Sequence, residues 1–146
     1  MTYNRLGAAF YQQAKFKVSL EVFEKCHEIE VKLHPHCDLD TAESLNNIVQ
    51  VRHALGDYNR AIDCLNKILN MQLHLLPPNH LDFTTTYYNL ADAFFAQDKL
   101  REALHIVKQK YNVDSKNLPP DHPRVKDDIG TISILKILLW YHFPKK

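Results

Sequence analysis

The sequence predicts an all-α fold built from stacked helix pairs. Three observations predict it. Leu76-Pro77-Pro78-Asn79-His80 returns 42 residues later as Leu118-Pro119-Pro120-Asp121-His122, and Pro35 stands one period before Pro77. Asn47 returns as Asn89 and Ala61 as Ala103 in the same register. Apolar residues between these marks follow helical spacing. A fixed period of this size means repeated supersecondary units, each burying its apolar face on the next.

The elements follow in order. The first unit places Tyr3, Leu6, Gly7 and Phe10 on one helical stripe, turns at Ala14-Lys15, and continues with Phe16, Leu20, Phe23 and Ile29. The second has Leu45, Ile48, Val49 and Arg52, then Leu55-Gly56-Asp57-Tyr58. Gly56 suits a left-handed residue that ends a helix, and Asp57 suits the cap of the next. That next helix carries Ala61, Ile62, Leu65, Ile68 and Leu69 and stops before Pro77-Pro78, which cannot continue a helix. The third has Tyr87, Leu90, Ala91 and Phe94, a turn near Gln97-Asp98-Lys99, then Leu100, Ala103, Leu104 and Val107. A last helix follows with Ile129, Ile132, Ser133 and Lys136 in the same slots. Asp127-Asp128 are expected in its first turn, where negative charge complements the helix dipole.

Composition bounds the function. With 45% hydrophobic and 24% charged residues, the 146-residue chain matches an ordinary globular domain. A formal charge of +1 gives no electrostatic footprint for nucleic acid. Cys26, Cys37 and Cys64 are an odd number without framework spacing, which fits a reducing compartment. Met1-Thr2-Tyr3-Asn4-Arg5 has no signal-peptide character. The apolar run from Ile132 to Phe143 contains Lys136 and falls short of the ~20 residues of a membrane span. A soluble, cytoplasmic chain with no membrane partner is expected.

Reactive residues cluster at Cys26, His27, His34, His36 and Cys37, but their spacing fits no standard zinc site, and no metal is expected. Cys26 falls in a small-residue slot, which predicts a buried thiol. His80 and His122 share one repeat position at helix starts, which predicts a capping or connector role. No phosphate loop, nucleophile elbow or paired-carboxylate motif occurs, so neither catalysis nor a cofactor is expected.

The repeats resemble the tetratricopeptide repeat, whose pattern is W-x2-L-G-x2-Y, then A-x3-F, then P. The matching residues are Tyr3-x2-Leu6-Gly7-x2-Phe10 with Ser19-x3-Phe23, Leu45-x2-Ile48-Val49-x2-Arg52 with Ala61-x3-Leu65, and Tyr87-x2-Leu90-Ala91-x2-Phe94 with Ala103-x3-Val107. Val49 and Arg52 depart from it. The 42-residue length looks like the repeats of kinesin light chain and nephrocystin-like proteins. The resemblance implies a right-handed α-solenoid: a single domain over 1–146 with repeats at about 2–37, 38–79 and 80–121 and a solitary helix at about 122–142.

It also implies a concave groove lined by first helices. Its slots hold Asn4, Arg5, Ala8, Tyr11 and Gln12 in the first unit, and Glu43, Asn46, Asn47, Gln50 and His53 in the second. They hold Thr85, Tyr88, Asn89, Asp92 and Phe95 in the third, then Asp127, Thr131, Ile134 and Ile137. Amides both donate and accept, so Asn46, Asn47, Gln50 and Asn89 are expected to bridge the backbone of an extended peptide. Tyr11, Tyr88 and Phe95 offer stacking surfaces or pack on a neighbouring helix. The fifth slot holds Asn4, Asn46 and Tyr88, so the lysine-asparagine clamp of some relatives is missing. Only Arg5 is basic among these slots, which disfavours the acidic cargo peptides of kinesin light chains.

The expected function is therefore a non-catalytic module for a protein or peptide partner. Two alternatives stand beside it. In one, the last helix, apolar nearly all round through Ile134, Leu135, Leu138, Trp140 and Tyr141, is a cap or oligomerisation element expected to be covered by a second copy, another part of a longer parent protein or a partner. Otherwise, the array regulates an enzyme in a longer parent protein.

Overall fold

The computed structural model describes residues 2–35 and 39–142. Among them run seven helices: α1 (Tyr3–Gln12), α2 (Phe16–Leu33), α3 (Leu39–Ala54), α4 (Tyr58–Leu75), α5 (Asp82–Ala96), α6 (Leu100–Asn117) and α7 (Pro123–His142). They form two compact units, residues 1–75 with α1 to α4 and residues 76–146 with α5 to α7.

The turns inside the helix pairs repeat the sequence period in atomic detail. Ala14, Gly56 and Asp98 all adopt left-handed φ, at 57°, 75° and 57°. In each turn the next amide reaches back five residues at 2.9 Å: Lys15 N to Phe10 O, Asp57 N to Arg52 O and Lys99 N to Phe94 O. These bonds satisfy carbonyls that a helix end leaves open. Asp57 Oδ1 also accepts from Arg60 N at 3.4 Å, capping α4 as its sequence position predicts.

In the first unit, α1 and α2 meet where side chains are smallest. Ser19 Oγ donates to Gly7 O at 2.7 Å, and a Cβ at Gly7 would stand 2.6 Å from Phe23 Cε1. The buried core continues through Leu45, Ile48, Val51, Leu65 and Ile68. Each such side chain stabilises the fold by about 1.5–3 kcal/mol. Arg52 explains its own departure from the pattern. It stands where Phe10 and Phe94 stand in the other repeats, yet its buried guanidinium pairs with Glu24 on α2 and with Asp57 Oδ2 at 3.0 Å. A charged tie between three segments replaces a ring.

In the second unit, Leu100, Ala103, Val107 and Leu135 form the core, with Ala91, Phe94, Leu104, Ile132, Leu138 and Leu139 packed on it. This corrects two expectations for α7. Leu135 is only 2% exposed and belongs to the α6–α7 core, and Leu138 is half-buried beside it, so Leu135 presents nothing to a cap or a second copy. Ile134, Ile137, Trp140 and Tyr141 do remain exposed. Because α7 starts at Pro123, Asp127 and Asp128 lie beyond its first turn, which holds no acidic residue. Asp128 is instead buried and paired with Lys110.

The connectors behave as their repetition predicts. His80 Nδ1 accepts from Asp82 N at 3.1 Å, and His122 Nδ1 from Arg124 N at 3.2 Å, so both histidines cap the helix that follows. Asn79, at φ 63°, presents its carbonyl to Asn117 Nδ2 at 2.7 Å.

Candidate functional site

The second unit holds a cavity of about 610 Å³, within the range of small-ligand and peptide pockets. One wall is α5, through Thr84, Thr85, Tyr88, Ala91, Asp92 and Phe95. The floor is α6, through Ala103, Val107 and Lys110, and the other wall is α7, through Arg124, Asp127, Asp128, Thr131, Ile134 and Leu135. Helical spacing puts Thr84, Tyr88, Ala91 and Phe95 on one face of α5, because residues three and four apart share a face. Ala91 and Ala103 contribute small side chains to the wall and the floor. Tyr88, Phe95 and Ile134 are 59%, 53% and 59% exposed, so substantial apolar surface faces solvent here.

The polar end of the cavity rests on a charge network. Lys110 Nζ donates to Asp114 Oδ2 at 2.9 Å and to Asp128 Oδ1 at 2.6 Å. Arg124 Nη2 donates to Asp114 Oδ1 at 2.9 Å and to Thr84 Oγ1 at 2.6 Å. Burial pulls the Lys110 pKa down, but hydrogen bonds to Asp114 and Asp128 and their charge outweigh it and leave the ammonium more firmly protonated. For Asp128 the balance runs the other way. Burial, helped by the adjacent Asp114 carboxylate, raises its pKa against the pull of Lys110. Asp128 Oδ2 is buried and receives no hydrogen bond.

The other predicted groove residues are distributed differently. Tyr11 packs edge-on against Phe16, with ring centroids 5.3 Å apart, and His53 does the same against Tyr58 at 5.0 Å. Each covers the first residue of the following helix, so these two rings serve the fold. Asn4 Oδ1 accepts from Cys26 Sγ at 3.3 Å, which turns its amide toward α2. Asn46 and Asn47 are half-buried on α3, Gln50 and Arg5 are exposed, and Asn89 is half-buried and does not line the cavity. Tyr88 and Asp92 do line it, together with Ile134 from the predicted apolar patch. Sequence reasoning missed Lys110, Asp114 and Arg124. The signal was present: Glu30, Gln72 and Asp114 share one repeat slot, and Ser44, Thr86 and Asp128 share another. All but Glu30 of these six are buried.

The cysteine-histidine cluster divides. Burial, with the hydrogen bond and charge of Glu30, pushes the Cys26 thiol up to about 11. His27 Nδ1 lies 2.7 Å from Ser44 Oγ, and burial lowers its pKa. His36 and Cys37 lie outside the described residues. Among the described residues, no three His, Cys, Asp or Glu side chains are placed to hold a metal ion, and no helix is long and apolar enough to cross a membrane.

A family model for the tetratricopeptide repeat matches residues 1–74 and 40–116. The chain belongs to the tetratricopeptide repeat family. No curated protein sequence matches it. Solved tetratricopeptide structures match its fold. A kinesin light chain-like protein of nearly identical TPR-like repeats from Podosopora anserina aligns with a TM-score of 0.74 at 16% identity, over 98% of this chain and 75% of that one. The TPR2AB domain of yeast Sti1, solved with a pHSP90 partner, aligns at 0.68 and 16% identity, over 96% and 47%. PcrH from Pseudomonas aeruginosa aligns at 0.65 and 15% identity, over 92% and 89%. These likenesses carry the tetratricopeptide fold.

Proposed function

We propose that this tetratricopeptide chain is a protein-interaction module that holds an extended peptide segment of a partner in the cavity of its second unit. One observation carries the reading: a cavity of about 610 Å³ walled by α5 and α7, with Tyr88, Phe95 and Ile134 exposed along it. Apolar surface of this kind on a soluble repeat marks a contact site. The Sti1 domain, whose structure was solved with pHSP90, is a family precedent for a protein partner. The half-buried amide of Asn89 on α5 and, within the first unit, those of Asn46 and Asn47 on α3 offer donors and acceptors of the kind that read a peptide backbone. Binding of one short segment in the micromolar range corresponds to about −8 kcal/mol.

Fluorescence anisotropy with peptides selected from a displayed random library tests the reading. Tyr88→Ala removes exposed aromatic surface without touching the core and weakens binding about tenfold. Unchanged affinity in Tyr88→Ala and Phe95→Ala would remove the cavity from the binding site. A second reading rests on the exposed Ile137, Trp140 and Tyr141 of α7, which fit a self-association surface. Sedimentation equilibrium separates it: a monomer across all concentrations excludes it.

A further inference from the structure

Away from the cavity, α7 keeps the repeat register on a face that no second helix covers among the described residues. The slot of Gly7 faces the second helix of its own repeat. Gly7 is buried, Ser19 Oγ of α2 donates to its carbonyl at 2.7 Å, and Phe23 of α2 stands against it. One and two periods later, Val49 is buried and Ala91 packs on the core to which α6 gives Leu100, Ala103 and Val107. Ser133 holds the same slot on α7, and it is exposed. A neighbouring slot behaves alike. Phe94 packs on the same α6 core, and Arg52 pairs with Asp57, the cap of α4, at 3.0 Å. Lys136 stands in that slot and is exposed. Lys126, Ile129, Ser133 and Lys136 follow one another at three- and four-residue steps, so they share a face, with Ile137 beside them. All five are exposed. Leu135, on the other side of the helix, meets α6. The open face is thus the seat that α2 takes on α1 and α6 takes on α5.

We infer that this face takes an acidic amphipathic helix of a partner protein, laid against α7 as α6 lies against α5. The repeats specify what such a helix carries. Second helices place a small residue on the seam and a large apolar one four residues on: Ser19 and Phe23, Ala61 and Leu65, Ala103 and Val107. Where the first helix brings a cation, as Arg52 does, an acid stands four residues before the small one, Asp57 before Ala61. Lys136 occupies the Arg52 slot. The partner helix therefore reads acid-x3-small-x3-large apolar along the face it buries. Charge points the same way. Lys126 and Lys136 are the charged residues of this stripe, and no ion pair among the described residues engages either. A second copy of the stripe would add two cations and no carboxylate, so an acidic helix complements it better. The helices α2, α4 and α6 are each 18 residues long, which sets the partner helix at about five turns.

The test displays a library of helices of that length, randomised along one face, selects binders on the full chain, and measures their affinity in solution. Ser133 is exposed and its hydroxyl bonds within α7, to Ile129 O at 2.9 Å, so Ser133→Trp blocks the seat without disturbing the core. Enrichment of the acid-small-apolar pattern supports the inference. So does a loss of about tenfold in Ser133→Trp, with a loss of about fivefold in Lys136→Glu that shrinks as salt rises. Ser115→Trp puts the same ring on an exposed serine of α6 and leaves affinity within about twofold. Equal losses in the two tryptophan variants overturn the inference. Binders that lose affinity in Tyr88→Ala and not in Ser133→Trp occupy the cavity, which overturns it while leaving the peptide site intact. Binders sensitive to Ser133→Trp but basic or indifferent in charge overturn it, as does a selection with no binder sensitive to Ser133→Trp. A wild-type chain that dimerises in sedimentation equilibrium, while Ser133→Trp stays monomeric, gives the face to a second copy and overturns it as well.

Discussion

Lys110 Nζ lies 2.6 Å from Asp128 Oδ1, a buried ion pair that ties α6 to α7 beneath the cavity. The same ammonium holds Asp114, whose side chain is fully buried. Desolvated charges of this kind tolerate replacement of the whole set better than removal of one member. Lys110→Met leaves two buried carboxylates with one cation between them, and is expected to destabilise the protein by about 3 kcal/mol. Adding Asp128→Leu to that variant recovers part of the loss. Urea denaturation of the two variants checks both statements.

Asp128 also sets a pH dependence. Its folded pKa is raised, first by burial and then by Asp114, so the folded state holds the proton more tightly than the unfolded chain does. The group's contribution is most favourable below the unfolded carboxyl pKa, about 3.9. It is lost as pH rises through the folded value. Asp128→Asn lacks this titration. Wild-type stability measured relative to Asp128→Asn is therefore expected to fall between acid and neutral pH. A relative stability that rises with pH contradicts the assignment.

Gly7 is fixed by the ring of Phe23. A methyl group there meets Cε1 at 2.6 Å and two further ring carbons at 2.8 Å. Gly7→Ala forces α1 off α2 and is expected to cost about 1–3 kcal/mol by overpacking. Phe23→Leu in the same chain makes room, so the double variant is less destabilised than the sum of its parts. Thermal unfolding of the four chains measures the coupling.

The three left-handed turn residues predict opposite effects from one substitution type. Ala14 and Asp98 adopt a conformation that glycine takes without strain, whereas Gly56 already supplies it. Ala14→Gly is expected to stabilise by about 0.5–1 kcal/mol, net of the added entropy of the unfolded chain. Gly56→Ala is expected to cost about 1 kcal/mol. Nothing lies within 4 Å of a Cβ at Gly56, so that cost is conformational rather than steric. Chemical denaturation midpoints decide the signs.

The helix pairs were legible in the sequence because the 42-residue period repeats the turn chemistry as well as the apolar stripes. Gly56 announced its turn, but Ala14 and Asp98 fill the same left-handed position without the residue type that signals it. Register alone revealed them. The candidate site was only half legible. Tyr88, Asp92, Phe95, Asp127, Thr131 and Ile134 follow from groove slots on first helices. Lys110 and Asp114 lie on a second helix, where the pattern expects core, and a charge there reads as solvated surface until its partners are known. Tyr11 and His53 occupy a groove slot, yet their rings turn onto Phe16 and Tyr58. A slot fixes the direction of a Cβ, and the rotamer decides whether a long side chain follows it.

The central claim is that partner segments dock between α5 and α7. Amide chemical-shift mapping of the full chain with a library-selected peptide tests it most directly. The account predicts shifts concentrated at Thr84 to Phe95 and at Arg124 to Leu135, lost in Tyr88→Ala. Shifts confined to the outward residues Trp140 and Tyr141, or to the second helices α2 and α4, contradict it.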